Sequence, residues 1–162
     1  MAGLAEQLDD IRVRASAPGV EIHAELRNRS EVSLSFGESV YEFIDERVLE
    51  RALGSLAERL FTGWMRQYRE AISATSLNVE SNDQHDFDFQ EEIHAVEVGV
   101  ESGDGRISLS TVGMREFSAR LRRGTVRELS EDQFVARVVE VAPQLIDRYQ
   151  VEVSEVKVRY YG

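Results

Sequence analysis

The chain has no cysteine, which removes disulfide staples, thiolate metal ligands and cysteine nucleophiles together. Lysine is almost as scarce: 18 arginines and one lysine carry the positive charge, nearly all of it in the planar form that suits carboxylates and phosphates. No window approaches the run of about 20 apolar residues that spans a bilayer. The opening MAGLAEQLDD shows neither a basic flank nor an apolar signal core. The expectation is a soluble cytoplasmic protein without a membrane partner, in which Asn28-Arg29-Ser30 is a polar turn rather than a glycosylated sequon.

Catalytic machinery is missing as well. Neither form of glycine-rich phosphate loop occurs, no Gly-x-Ser-x-Gly elbow is present, and His23 sits in the middle of an alternating run with no nucleophile motif beside it. Asp83, His85, Asp86, Asp88, Glu91, Glu92 and His94 concentrate metal-ligand types, but their spacing fits neither a calcium loop nor a helical His-Glu-x-x-His pair. This stretch is expected to be a solvated acidic linker, with Phe87 and Phe89 alternating as in a short edge strand or a docking segment. No enzyme activity, metal or cofactor is expected.

What the chain does have is acid and apolar material. A net charge of -11 repels nucleic acid and anionic lipid unless positive charge is clustered, and 42% hydrophobic content is enough for one ordinary core or two small interdependent ones.

That material is arranged twice. A gapless offset of 85 residues lays residues 11–65 over 96–150. Ile11, Val13 and Ala15 alternate with polar residues, as do Val96, Val98 and Val100. Turns follow at Ala17-Pro18-Gly19 and Ser102-Gly103-Asp104-Gly105. Return strands are expected through Val20, Ile22, Ala24 and Leu26 and through Ile107, Leu109 and Thr111. Third strands are expected through Val32, Leu34 and Phe36 and through Phe117, Ala119 and Leu121.

The period then changes from two to about 3.6 at the same point in both copies. Asp45 and Ser130 are matching N-caps, Ser130 with Gln133 forms a capping box, and Glu46 and Glu131 place negative charge in the first turn. Leu49, Leu53, Leu56, Leu60 and Trp64 form one stripe, answered by Phe134, Val138, Val141, Leu145 and Tyr149. The first helix is expected to run to about Ser73. The second is expected to end near Gln150 and give way to a strand over Val151–Tyr161, bulged near Ser154-Glu155.

The resulting expectation is an α+β fold of two pseudo-repeated units, 1–73 and 93–162. Each is a three-stranded antiparallel sheet followed by an amphipathic helix, with an acidic linker over 74–92 and an extra C-terminal strand. A duplicated unit implies a pseudo-symmetric pair in which each copy covers the other.

Gly19-Val-Glu-Ile-His-Ala-Glu-Leu, Val32-Ser-Leu-Ser-Phe, the Ile44-Asp45 junction and the helix through Tyr68 together resemble the YbaB/EbfC family of nucleoid-associated proteins and the related accessory proteins of type VII secretion loci. The resemblance covers about 60 residues of the first unit; in the second, Leu129-Ser130 replaces the Ile-Asp junction. It implies a homodimer-like fold acting through DNA or through protein contacts.

Two surfaces stand out as candidates for a partner. Arg120, Arg122, Arg123 and Arg127 crowd the end of the sixth strand, and Arg12, Arg14, Arg27 and Arg29 are expected on the solvent face of the first sheet. Trp64, Met65 and Tyr68 late in the first helix, and Tyr160 and Tyr161 at the chain end, are aromatic material of the kind interfaces use. The functional expectation is a non-enzymatic, protein-binding adaptor or chaperone-like factor. A DNA-binding nucleoid protein using an arginine-rich sheet face is the alternative, and self-association through a sheet edge or helix face is open to either.

Overall fold

The structure, a computed structural model, describes residues 3–73 and 84–162. The first unit runs α1 (Leu4–Asp9), β1 (Val13–Ser16), β2 (Ile22–Arg27), β3 (Glu31–Phe36), α2 (Val40–Phe43) and α3 (Glu46–Ser73). After α4 (Gln84–His94) the second runs β4 (Glu97–Glu101), β5 (Ile107–Val112), β6 (Glu116–Leu121), α5 (Thr125–Glu128) and α6 (Glu131–Tyr161). The fold is α+β: two separate antiparallel sheets, ordered β1-β2-β3 and β4-β5-β6, each followed by a long helix.

The repeat extends to individual hydrogen bonds. Ile22 pairs with Phe36 and Ile107 with Leu121; Val13 faces Leu26, and Val98 faces Thr111. Ala17 N–H donates to the Ile22 carbonyl and Ser102 N–H to that of Ile107, and Gly37 N–H to Glu21 as Arg122 N–H to Arg106. Each pair of bonds is separated by the same 85 residues found in the sequence. The second hairpin of each unit turns on two residues of positive φ, Asn28 (49°) and Arg29 (69°) in one and Gly113 (63°) and Met114 (54°) in the other. That combination matches the right-handed twist of the flanking strands. Arg29 is held in place by an ion pair to Asp9 at 2.7 Å. Gly113 is obligatory for a second reason, since a Cβ there would run into the His94 backbone.

Both expected helix stripes are buried. Leu49, Leu53, Leu56 and Leu60 lie in the core with Phe134, Val138, Val141 and Leu145, while Trp64 and Tyr149 close the two ends half-buried. Each such side chain contributes roughly 1.5–3 kcal/mol by burial. Asp45 accepts the Arg47 N–H at 2.8 Å, and Ser130 and Gln133 form a reciprocal capping box. The helices are exchanged: α3 packs on β1, β2 and the other unit's β6, and α6 on β4, β5 and the first unit's β3. The seam encloses a cavity of about 80 Å³ whose lining repeats by the same offset, Ala57 with Ala142 and Leu60 with Leu145.

The outer edges of the sheets are occupied. Just before β1 the carbonyl of Arg12 accepts from Gln67 of α3, on β1 that of Ser16 accepts from Arg59 of α3, and on β4 that of Gly99 accepts from Arg148 of α6. These side chains fill positions another strand would need, which leaves less of either edge open to the self-association considered from sequence.

Three expectations are corrected. Val151–Tyr161 is not a strand: α6 continues without interruption to Tyr161, and Ser154-Glu155 is helical rather than bulged. Val153, Val156 and Tyr160 step by three and four and face α4, so the helical period wins over β-propensity once a second helix supplies a surface. The later part of the expected linker, 84–92, belongs to the helix α4 (Gln84–His94), and Phe87 and Phe89 lie in it rather than in an edge strand. Residues 74–83, including Asp83, lie outside the described residues. The short helices α2 and α5 have no counterpart in the sequence reading. Pro143 sits inside α6, and the carbonyl it cannot serve belongs to the exposed Val139.

Because each long helix covers a strand of the other unit, residues 1–78 and 79–162 expressed separately are expected not to form monodisperse monomers, and to regain structure when mixed. Light scattering and far-UV circular dichroism check this; a stable monomeric half would mean that one unit closes its own core.

Candidate functional site

Three residues beyond the last strand of each unit stands a left-handed residue, Ser39 (φ 62°) in the first and Gly124 (φ 88°) in the second, and that turn drives the chain into a one-turn helix. Ile44 and Leu129 then return to extended backbone, and the caps Asp45 and Ser130 start the long helices. The two helix starts open on a common groove of about 1310 Å³, walled by α2 and the start of α3 on one side and by α5 and the start of α6 on the other.

Beneath it the units are locked together. Phe36, Tyr41 and Phe134 form an aromatic trio with ring centroids 5.4, 6.0 and 5.5 Å apart, and the buried Tyr41 hydroxyl donates to the Leu129 carbonyl across the seam at 2.8 Å. Burial first, then the nearby carboxylates of Glu46 and Glu131, push the Tyr41 phenol up to about 12. Two acids of α3 are committed to the opposite wall: Glu46 accepts the N–H groups of Gly124 (2.9 Å) and Val126 (3.4 Å), and Glu50 accepts that of Leu121 (2.7 Å).

The arginines crowded in sequence are dispersed in space. Arg123 and Arg127 line the groove, Arg120 faces solvent from β6 opposite Ser108, and Arg122 lies over the β4–β5 turn near Gly105. All four are exposed, and none makes an ion pair with a described residue. On the first sheet, by contrast, Arg14 pairs with Glu25 (3.4 Å), Arg27 with Glu31 (3.3 Å) and Arg29 with Asp9.

The aromatics expected to meet a partner are engaged within the chain. Phe61, Trp64 and Tyr68 stack along α3 against the core, with centroids 6.1 and 5.2 Å apart. Tyr160 and Tyr161 clamp α4 through His85 and Phe89, and the Tyr161 hydroxyl donates to Asp86. The aromatic that sequence reasoning missed is Phe43, exposed to 83% at the end of α2 beside the groove. Its signal was the pair Phe43-Ile44 before a cap. Ile44 packs on the core in the staple position, and its neighbour is left outside.

The acidic segment is used structurally as well. Glu92 is held below the ordinary carboxylate range by the Tyr160 hydroxyl first and by Arg159, and burial with Arg115 and Arg69 nearby lowers His94. No three potential ligands converge on a metal position among the described residues. Among the described residues, Ser16 Oγ lies 2.8 Å from His23 Nδ1; the two are cross-strand neighbours on the outer face of the first sheet, in an open depression of about 400 Å³ that Arg14, Glu25 and Ser33 also line. No helix of the described residues is long and apolar enough to cross a membrane. No family model, curated protein or solved structure matches the chain.

Tyr41 gives the seam a titration signature. Its folded value lies above the ordinary 10, so its contribution to stability is complete below pH 10 and is lost as pH rises towards 12. Tyr41→Phe is expected to cost about 1 kcal/mol at neutral pH and to flatten the alkaline limb of stability, measured by denaturant melts between pH 9 and about 12.

Proposed function

We propose that the chain is a non-enzymatic protein-binding adaptor or chaperone-like factor of YbaB-like ancestry, its two units standing for the two subunits of a dimer. The observation that carries this reading is Phe43, a large apolar side chain exposed to 83%, which stands in the chain between Glu42 and Ile44, two residues that line a groove both units build. An exposed aromatic is the kind of anchor a protein-binding hot spot uses. Leaving Phe43 in water sacrifices burial energy that a partner would recover. The ion pairs on the first sheet support the same reading over DNA binding, because they neutralise three of the arginines a phosphate backbone would need.

Tagged full-length protein recovered from its native host is expected to carry a stoichiometric protein that is lost with Phe43→Ala, while binding no duplex DNA at about 50 mM salt. DNA retention with steep salt dependence and no protein partner would sink the reading.

A further inference from the structure

Short and long side chains in this core are balanced between the two copies. Ala24 of β2 stands opposite Leu34 of β3, and at the equivalent pair of the second sheet the order is reversed, Leu109 opposite Ala119. Each sheet therefore fills the same space with one short and one long side chain. Across the seam that balance fails. Ala57 of α3 and Ala142 of α6 are equivalent by the 85-residue offset, both are short, and both line the cavity of about 80 Å³.

The lining is apolar without exception, built of alanine, valine, leucine, isoleucine, methionine and phenylalanine from both sheets and both long helices. Protein interiors rarely leave a void larger than one water. A water here would meet no polar side chain and gains nothing by entering. The rim lies between the helices. Ala57 and Phe61 of α3 and Ala142 and Ile146 of α6 are half-buried and again equivalent by the offset, whereas Leu56, Leu60, Val138 and Leu145 of the same lining are buried.

One wall is adaptable. Met114 of the β5–β6 turn is buried and lines the cavity from a backbone of φ 54°, an angle that bulky side chains rarely adopt. Its equivalent Arg29 is exposed, ion-paired to Asp9 and outside the lining. The unbranched thioether of methionine has three rotatable bonds and reshapes itself around irregular gaps.

We propose that the seam cavity binds one small hydrocarbon group per chain, entered between α3 and α6, with Met114 as the wall that adjusts to it. The lining sets the chemistry, because a hydroxyl, amine or carboxylate inside would lose its hydration without replacement. The volume sets the size. A dry apolar cavity of roughly 150 Å³ takes up benzene, so one of about 80 Å³ admits a guest smaller than benzene, on the order of three carbons. That guest is a free hydrocarbon or the end of a longer chain whose polar head stays outside. The inference goes beyond the protein-binding reading and does not depend on it.

The test adds cyclopropane or octanoate to the full chain carrying isotope-labelled alanine and methionine methyl groups, and follows their NMR shifts together with the melting temperature. Saturable shifts are expected at Ala24, Ala57, Ala142 and Met114, and none at Ala17 or Ala136, which do not line the cavity. The melting temperature should rise by about 2–4 °C with ligand at roughly ten times its dissociation constant. Ala142→Leu should fill the space and abolish the shifts at Ala57 and Met114; Ala57→Leu serves in its place if that variant does not fold, as judged by circular dichroism. Met114→Ala should admit benzene, which the unaltered chain excludes.

Binding of cyclopropane without octanoate identifies a free hydrocarbon as the occupant, and octanoate without cyclopropane a chain end. The proposal is overturned by the absence of any saturable shift with either probe, by shifts spread equally to Ala17 and Ala136, or by shifts that persist in a folded Ala142→Leu or Ala57→Leu variant.

Discussion

Everything in this fold depends on the exchange of helices across the seam. A three-stranded sheet has one apolar face, and the helix that follows it covers only part of that face. Here α3 lies over β1 and β2 but reaches across to β6, and α6 lies over β4 and β5 but reaches to β3. The last strand of each sheet is therefore covered by the other unit's helix. Gly54 of α3 shows how close the approach is, because a Cβ on it would stand 3.2 Å from the Phe117 carbonyl of β6. The core is continuous through the seam: the cluster that holds Ile22 and Leu49 also holds Ile107 and Phe134.

The exchange keeps some positions alike and releases others. Positions that face the seam remain apolar in both copies, with Ile22 matched by Ile107, Leu49 by Phe134 and Leu60 by Leu145, because either copy would lose its cover if they became polar. Thr111 stands where the first unit has Leu26, and it is tolerated there because its hydroxyl donates to the Glu116 carbonyl. Outside the seam the constraint lifts. The β1–β2 turn is Ala17-Pro18-Gly19, whereas the β4–β5 turn is tied by Ser102 and by Arg137 to Asp104, whose carboxyl these contacts hold at about 2. At the groove the divergence reaches opposite charge at Glu42 and Arg127, a difference a true homodimer could not arrange, while Glu46 and Glu131 stay alike.

The repeat, the six strands and the inward stripes of both helices were legible because each rests on a local period and the two copies carry it in the same register. The caps were legible for a similar reason, since Asp45 and Ser130 act within three residues of themselves. Val151–Tyr161 was not. Its valines and tyrosines carry high β-propensity, and the pattern of three and four becomes meaningful only beside α4, a helix whose own acidic composition resembled a linker. The neighbours of the aromatic candidates were hidden for the same reason: Tyr160 and Tyr161 contact α4, and Trp64 and Tyr68 stack on each other along α3.

The sequence by itself determined the six strands, the starts of the two long helices and which of their faces are apolar, as these follow from steric preference and burial within about ten neighbours. Only the tertiary structure decided which charges are neutralised and which large side chains stay in water. Arg14, Arg27 and Arg29 are indistinguishable in composition from Arg123 and Arg127, and what separates them is whether a carboxylate from another segment arrives within reach. The same holds for Phe43, stranded because its neighbour Ile44 takes the place in the core. The candidate site is made of such leftovers, and a leftover is defined by everything packed around it.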